Sequence, residues 1–249
     1  MSHYINMATV YDALMADAPY DKWVDFVIKH VTSIQKPHEE TSLLDVGCGT
    51  GELVIRLKKH GFLVMGVDLS ETMLAIARQK AEIEGLKIPL FHQDMTSLQV
   101  EEPVDIITIF CDSLNYLLSK EDVINTFKAC YESLNTGGMI LIDVHSPYKM
   151  EQFLMNEPFY QVGEDVTYIW NCQEGNDPLS VTHDLTFFVL NEVSGEYQRF
   201  DEWHQQRTYP IDEWNEMLSS VGFSSITLQA DFTNEPDETS ERIFFCAKK

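Results

Sequence analysis

The stretch Leu43-Leu44-Asp45-Val46-Gly47-Cys48-Gly49-Thr50-Gly51 decides the fold. An apolar run enters glycines spaced G-x-G-x-G, and a helical pattern begins at Glu52. A buried parallel strand that feeds a tight turn and opens a helix reads this way. Glycine serves where the backbone takes positive φ or lets a ligand come close. The turn is therefore expected to present bare backbone N–H groups at a helix N-terminus, a place suited to a carboxylate or phosphate.

Working outward, residues 63–67 form a second apolar strand closed by Asp68, an acid placed to accept from both hydroxyls of a ribose. The first helix, 52–60, stops at Gly61, and Ser70 is the N-cap expected for the second, which carries Met73, Leu74, Ile76 and Ala77. A third short strand spans 88–91 and leads to Asp94-Met95. Residues 104–110 are nearly all apolar, as a central parallel strand should be. Ser119 heads a helix over 122–134, Asn135-Thr136-Gly137-Gly138 make a turn, and 139–144 form the next strand. Repetition of strand then helix implies a doubly wound α/β sheet with its ligand at the carboxyl ends of the strands. Upstream, 20–31 reads as an amphipathic helix through Trp23, Phe26, Val27 and Val31.

From Tyr148 the pattern changes to β-type runs at 166–172, 180–190 and 196–206, with a hairpin loop at 191–195. This predicts an antiparallel β insertion over 148–207 that forms a substrate lid. The α/β unit then comprises residues 1–147, headed by a helical lid, and 208–249. In the latter a helix over 212–221 stops at Gly222, and strands at 225–232 and 242–247 flank an acidic loop, 233–241.

The chain has 249 residues and a formal net charge of −23, from 40 acidic and 17 basic side chains. It carries no Lys/Arg run, so nucleic acid and anionic membranes are not expected partners. A cationic, amine-bearing or neutral small substrate fits better, although solubility alone also accounts for the charge. Five cysteines without C-x-x-C spacing read as reduced thiols, not as a disulfide frame or zinc site. No signal-type or membrane-length apolar run occurs, so a cytoplasmic protein, monomer or homodimer, is expected.

The order of glycine turn, acid after the second strand and Asp after the third resembles class I S-adenosylmethionine (SAM) dependent methyltransferases. A nicotinamide dehydrogenase is the rival, but its glycines are spaced G-x-G-x-x-G. The resemblance implies a Rossmann-like, seven-stranded sheet whose last strand is antiparallel. It implies that the turn holds the methionine part of SAM at Gly47 and Gly49, that Asp68 holds the ribose, and that Asp94 meets the adenine amino group. The full cofactor set it suggests is Tyr11, Asp45, Gly47, Cys48, Gly49, Asp68, Leu69, Met73, Asp94, Met95 and Cys111. Tyr11 reads either as an aromatic cover on that site or as a packed helix face. Tyr11-Asp12, Pro19-Tyr20-Asp21-Lys22-Trp23, Cys111 to Tyr116 and Asp143 to Tyr148 narrow the resemblance to the YqeM-like group of bacterial methyltransferases, which carries no substrate with it.

Methyl transfer from SAM is an in-line displacement, so the protein's tasks are positioning and exclusion of water. Polar groups at the ends of the fourth and fifth strands are the candidates. Cys111-Asp112-Ser113-Leu114-Asn115-Tyr116 lacks the Asn-Pro-Pro-Tyr motif of enzymes acting on nucleobases or protein glutamine. Asp112 reads as a group steering an ammonium or as a helix cap, and Asn115 and Tyr116 as hydrogen-bond partners of substrate or SAM. His145 is the candidate general base or a structural histidine. His183, His204, Arg207 and Tyr209 are expected in the lid, and Trp170 with Trp203 form an aromatic wall or core. No metal is expected. The predicted function is methyl transfer to N or O of a small molecule, yielding S-adenosylhomocysteine (SAH). The alternative is a non-catalytic SAM/SAH-binding regulatory module.

Overall fold

The computed structural model describes residues 7–232 and 235–249. Two helices, α1 (Met7–Leu14) and α2 (Tyr20–Val31), precede the sheet. Then alternate β1 (Ser42–Val46), α3 (Glu52–Lys59), β2 (Leu63–Asp68), α4 (Glu71–Ile83), β3 (Leu90–His92), β4 (Val104–Ile109), α5 (Lys120–Ser133) and β5 (Leu134–His145). Next come α6 (Pro147–Asn156) and four strands, β6 (Phe159–Val162), β7 (Val166–Glu174), β8 (Ser180–Asn191) and β9 (Glu196–Arg207). The chain closes with α7 (Ile211–Val221), β10 (Ser224–Ala230) and β11 (Arg242–Lys248).

Seven strands form one sheet in the order β10-β11-β5-β4-β1-β2-β3. β11 runs antiparallel to both neighbours, while β1 to β5 are mutually parallel. Both faces are covered, and successive strand residues divide between them. Leu43, Ile106, Leu141 and Phe244 pack with α2 and α3 on one face. Leu44, Ile107, Ile142 and Phe245 pack with α5 and α7 on the other. That two-sided burial explains why these strands read as unbroken apolar runs. The strand order reverses beside β1, which leaves a crevice at the carboxyl ends of β1 and β4.

β6 to β9 form a separate antiparallel meander. Its inward residues Leu185 and Phe187 receive Val10 of α1, so the N-terminal helix is held against the second sheet. Asp12 on the same helix accepts from Thr50 Oγ1 and, at 2.8 Å, from Lys80 of α4.

Several expectations are corrected. Residues 147–156 are helical, where only β runs were expected after Tyr148. The signal is local: Ser146 Oγ accepts from Lys149 N at 3.0 Å, Pro147 opens the helix, and Met150 and Phe153 are its buried residues. The turn expected at 135–138 is taken into β5, where the pairing with β4 shifts register and Gly137 takes φ +80°. The third strand lies at 90–92, later than expected. Thr233 and Asn234, expected in the loop before the last strand, lie outside the described residues.

Candidate active site

The glycine turn sits at the reversal point. Gly47 takes φ +75°, and a Cβ there would meet Ser113 Oγ at 2.7 Å, so no other residue fits. Gly49 takes φ +54° with open space where its Cβ would be. Tyr11, Tyr20, Asp45, Gly47, Cys48, Gly49, Phe110, Cys111 and Ser113 are among the residues lining one cleft. α1 therefore reaches the turn, with Tyr11 in the cleft lining.

Three amides of the turn are already engaged. Gly47 and Cys48 both donate to Val67 O, at 2.8 and 3.0 Å, and Gly49 donates to Asp68 Oδ2 at 2.8 Å. The loop folds back onto the end of β2, because buried amides take the nearest acceptor. Asp68 also accepts from Ser70 N at 2.7 Å, so its carboxylate pins the turn to the head of α4. Asp45 is buried at the base of the cleft lining and accepts from Thr108 Oγ1 at 2.6 Å. Burial pushes its carboxyl up to about 7, against the opposing pull of the Thr108 hydroxyl. Asp68, Leu69, Met73, Asp94 and Met95 stand outside the cleft lining. Leu69 is exposed, and Asp94 Oδ1 caps the short turn 95–97 by accepting from Thr96 N at 2.8 Å.

Behind the cleft-lining residues Cys111 and Ser113, charges are concentrated. Cys111 and Asp112 both take φ +53°, an unfavourable conformation for residues with a Cβ. Burial pushes the Cys111 thiol well up, so it stays protonated. Asp112 Oδ1 accepts from Arg242 Nη2 at 2.9 Å, and Oδ2 accepts from Gln206 Nε2 at 2.7 Å. His145 Nε2 lies 3.4 Å from the same Oδ2. Arg242 Nη1 reaches Asp143 Oδ2 at 2.8 Å, where Trp23 Nε1 also donates at 2.7 Å. Burial raises the Asp112 carboxyl, but His145 and Arg242 outweigh it and hold the group well below the usual carboxylate range. Burial wins at Asp143, whose carboxyl is pushed up.

Asp112 makes no helix-cap bond. Asn115 is committed to structure: it donates to Arg207 O at 2.8 Å and accepts from His145 N at 3.0 Å. Tyr116 is exposed at the rim, edge-on to His204 with ring centroids 5.9 Å apart. His145 is buried edge-on to Phe153, and its Nδ1 has no partner among the described residues. The expected pairing of Trp170 with Trp203 fails. Trp170 pairs with Leu185, whereas Trp203 pairs with Asp184, so the two side chains leave opposite faces of the sheet. Tyr209, expected in the lid, is buried against Trp214 in the main core.

A bacterial relative from Geobacillus sp. (strain WCH70), provisionally named a methyltransferase, is 50% identical over 247 residues, 99% of each chain. The chain is a SAM-dependent methyltransferase of the YqeM-like group. The similarly provisional methyltransferase YqeM of Bacillus subtilis (strain 168) is 45% identical over 99% of this chain and 97% of its own. Residues 43–138 match the family described as a methyltransferase domain. A crystal structure of a SAM-dependent methyltransferase from Clostridium acetobutylicum ATCC 824 superposes with a TM-score of 0.87 at 32% identity, covering 97% of both chains. The seven-stranded sheet with its antiparallel last strand is thus the fold of a methyltransferase whose cofactor is SAM.

Sequence reasoning passed over Arg242 and Gln206 in this methyltransferase. The available signal was a lone arginine at the head of the apolar strand Ile243 to Ala247. Its partners, 99 and 130 positions away, cannot be read from spacing.

Proposed function

We propose that this methyltransferase transfers the methyl group to N or O of a small molecule, with His145 taking the acceptor's proton. The observation that carries the reading is the buried His145–Asp112 contact beside Cys111, a cleft-lining residue. An ionised Asp112 keeps the imidazole proton on Nε2, which leaves the Nδ1 lone pair as the base. The 3.4 Å separation is long for a hydrogen bond, as catalytic contacts often are before substrate is bound. Transfer then balances: the acceptor lone pair takes the methyl, its proton passes to Nδ1, and Asp112 stabilises the imidazolium.

SAM suits the cleft at the glycine turn. When bound it supplies a methyl group already activated by a sulfonium. The open side of Gly49 admits close approach, Asp68 retains lone pairs for hydroxyls, and Asp45 offers a carboxylate to a cation. Tyr11 and Tyr20 cover the turn and exclude water.

The β insertion reaches Asp112 through Gln206, and a cover of this kind over the acceptor favours a small molecule over a polymer. Three nearby cations are already engaged: Arg242 by Asp112 and Asp143, Arg207 by Asp177, and Lys149 by Glu241. An amine or neutral hydroxyl suits such a site better than an anion. The test is incubation with methyl-labelled SAM and a bacterial metabolite extract. Label in the small-molecule fraction that disappears with His145→Gln supports the reading. Label only in protein or RNA, or transfer unaffected by His145→Gln, refutes it.

A further inference from the structure

A chain of hydrogen bonds descends from the insertion sheet into the charged network beside the cleft. Trp170 Nε1 donates to His183 Nδ1 at 3.1 Å. His183 Nε2 meets Gln206 Oε1 at 3.2 Å, and Gln206 Nε2 donates to Asp112 Oδ2 at 2.7 Å. Three adjacent strands, β7, β8 and β9, each supply one member.

The direction of the chain follows from the donor inventory. An indole N–H can only donate, so Nδ1 of His183 accepts and its proton sits on Nε2. The Gln206 carbonyl oxygen takes that proton's hydrogen bond, which turns its NH2 toward the Asp112 carboxylate. Protonated His183 would set N–H against N–H at Trp170. Burial keeps the ring neutral by pushing its pKa down to about 4. His183 and Gln206 are both buried, so each is costly to leave unpaired.

We propose that Trp170, His183 and Gln206 are positioning residues that set the Asp112 carboxylate for His145, so that the insertion sheet is part of the catalytic apparatus as well as its cover. The proposal rests on the reading of His145 as base. Gln206 and His145 share one oxygen of Asp112. When Gln206 withdraws its donor, more of that oxygen's charge acts on the imidazole and the imidazolium is favoured. The charged and titratable groups around His145 come from each element packed there. They are Asp112 after β4, Arg242 behind it on β11, Asp143 on β5, His183 on β8 and Lys149 on α6.

The experiment is a histidine ¹³Cε1 NMR titration of the full chain with SAH bound, using His145→Gln only to assign the resonance. Gln206→Leu is expected to raise the His145 midpoint by about one pH unit, and Gln206→Glu by more, with stabilisation by SAH unchanged. Trp170→Phe, which deletes one N–H and keeps the ring, is expected to give a smaller rise and serves if Gln206 variants fail to fold. A His145 midpoint within about 0.2 pH unit of the parent in every folded variant overturns the proposal. A shifted midpoint together with methyl transfer indifferent to His145→Gln would leave the coupling standing and remove the base assignment.

Discussion

The glycine turn and the charged network beside it are built on different physics. At the glycine turn, backbone amides are satisfied by a neighbouring strand end, and the polar side chains Asp45 and Asp68 sit close to the turn they serve. In the charged network beside it, Asp112, Asp143, His145, Gln206 and Arg242 are drawn from three strands and a loop of the chain. The first is a shaped surface that tolerates loss of a side chain. The second holds charges out of water, and each is stable only while its partners remain. Substitutions at the turn should therefore act on ligand affinity, and those in the network on chemistry or stability.

The largest effect expected is at His145. His145→Gln should lower methyl transfer by about 10² to 10⁴-fold, the range for loss of a general base, with SAH affinity preserved. Measured by labelled transfer and calorimetry, an equal loss in both would erase the distinction between the two regions.

Arg242→Leu should follow closely. It leaves two carboxylates buried beside each other without their cation, at a cost of about 3–5 kcal/mol in urea unfolding. A loss under about 1 kcal/mol would show that the network is not held by charge. The same bond gives a pH signature. The folded-state pKa of Asp112 is depressed, so its stabilisation is present above the unfolded value and is lost as pH falls through the folded one.

Asp68→Ala should abolish most SAM and SAH affinity, by about 2–3 kcal/mol for the charged hydrogen bonds removed. It should also cost about 1 kcal/mol of stability, because Gly49 and Ser70 lose their acceptor. Unchanged SAH stabilisation in a thermal melt would detach Asp68 from the cofactor.

The smallest effect sharpens the same contrast. The Asp45 carboxyl is raised to about 7, so the neutral form is the one that stabilises the fold. That contribution is full below the unfolded value and is lost as pH rises through about 7, by roughly 1.4 kcal/mol per pH unit at most. Asp45→Asn should flatten this slope in unfolding curves taken from pH 4 to 8. Parallel slopes in parent and variant would mean that Asp45 ionises freely.

Much of the fold was legible because its signals are short-range. The Ser70 and Ser119 caps and the Gly222 stop are each decided within a few residues, and all three appear as expected. α6 was also legible, in Ser146-Pro147 and the Met150, Phe153 spacing, but the surrounding β runs masked it. That Gly47, Cys48 and Gly49 have acceptors was not legible, because sequence does not show which groups a loop folds onto.

The sequence by itself determined the α/β unit, since period, glycine spacing and capping are local. Tertiary structure alone decided the charged network beside the turn. Arg242 meets Asp112 across 130 positions, Gln206 meets it across 94, and Trp203 is turned away from Trp170 by the sheet's register. Charge pairing and strand register depend on where distant elements land, and no pattern within a single segment carries that information.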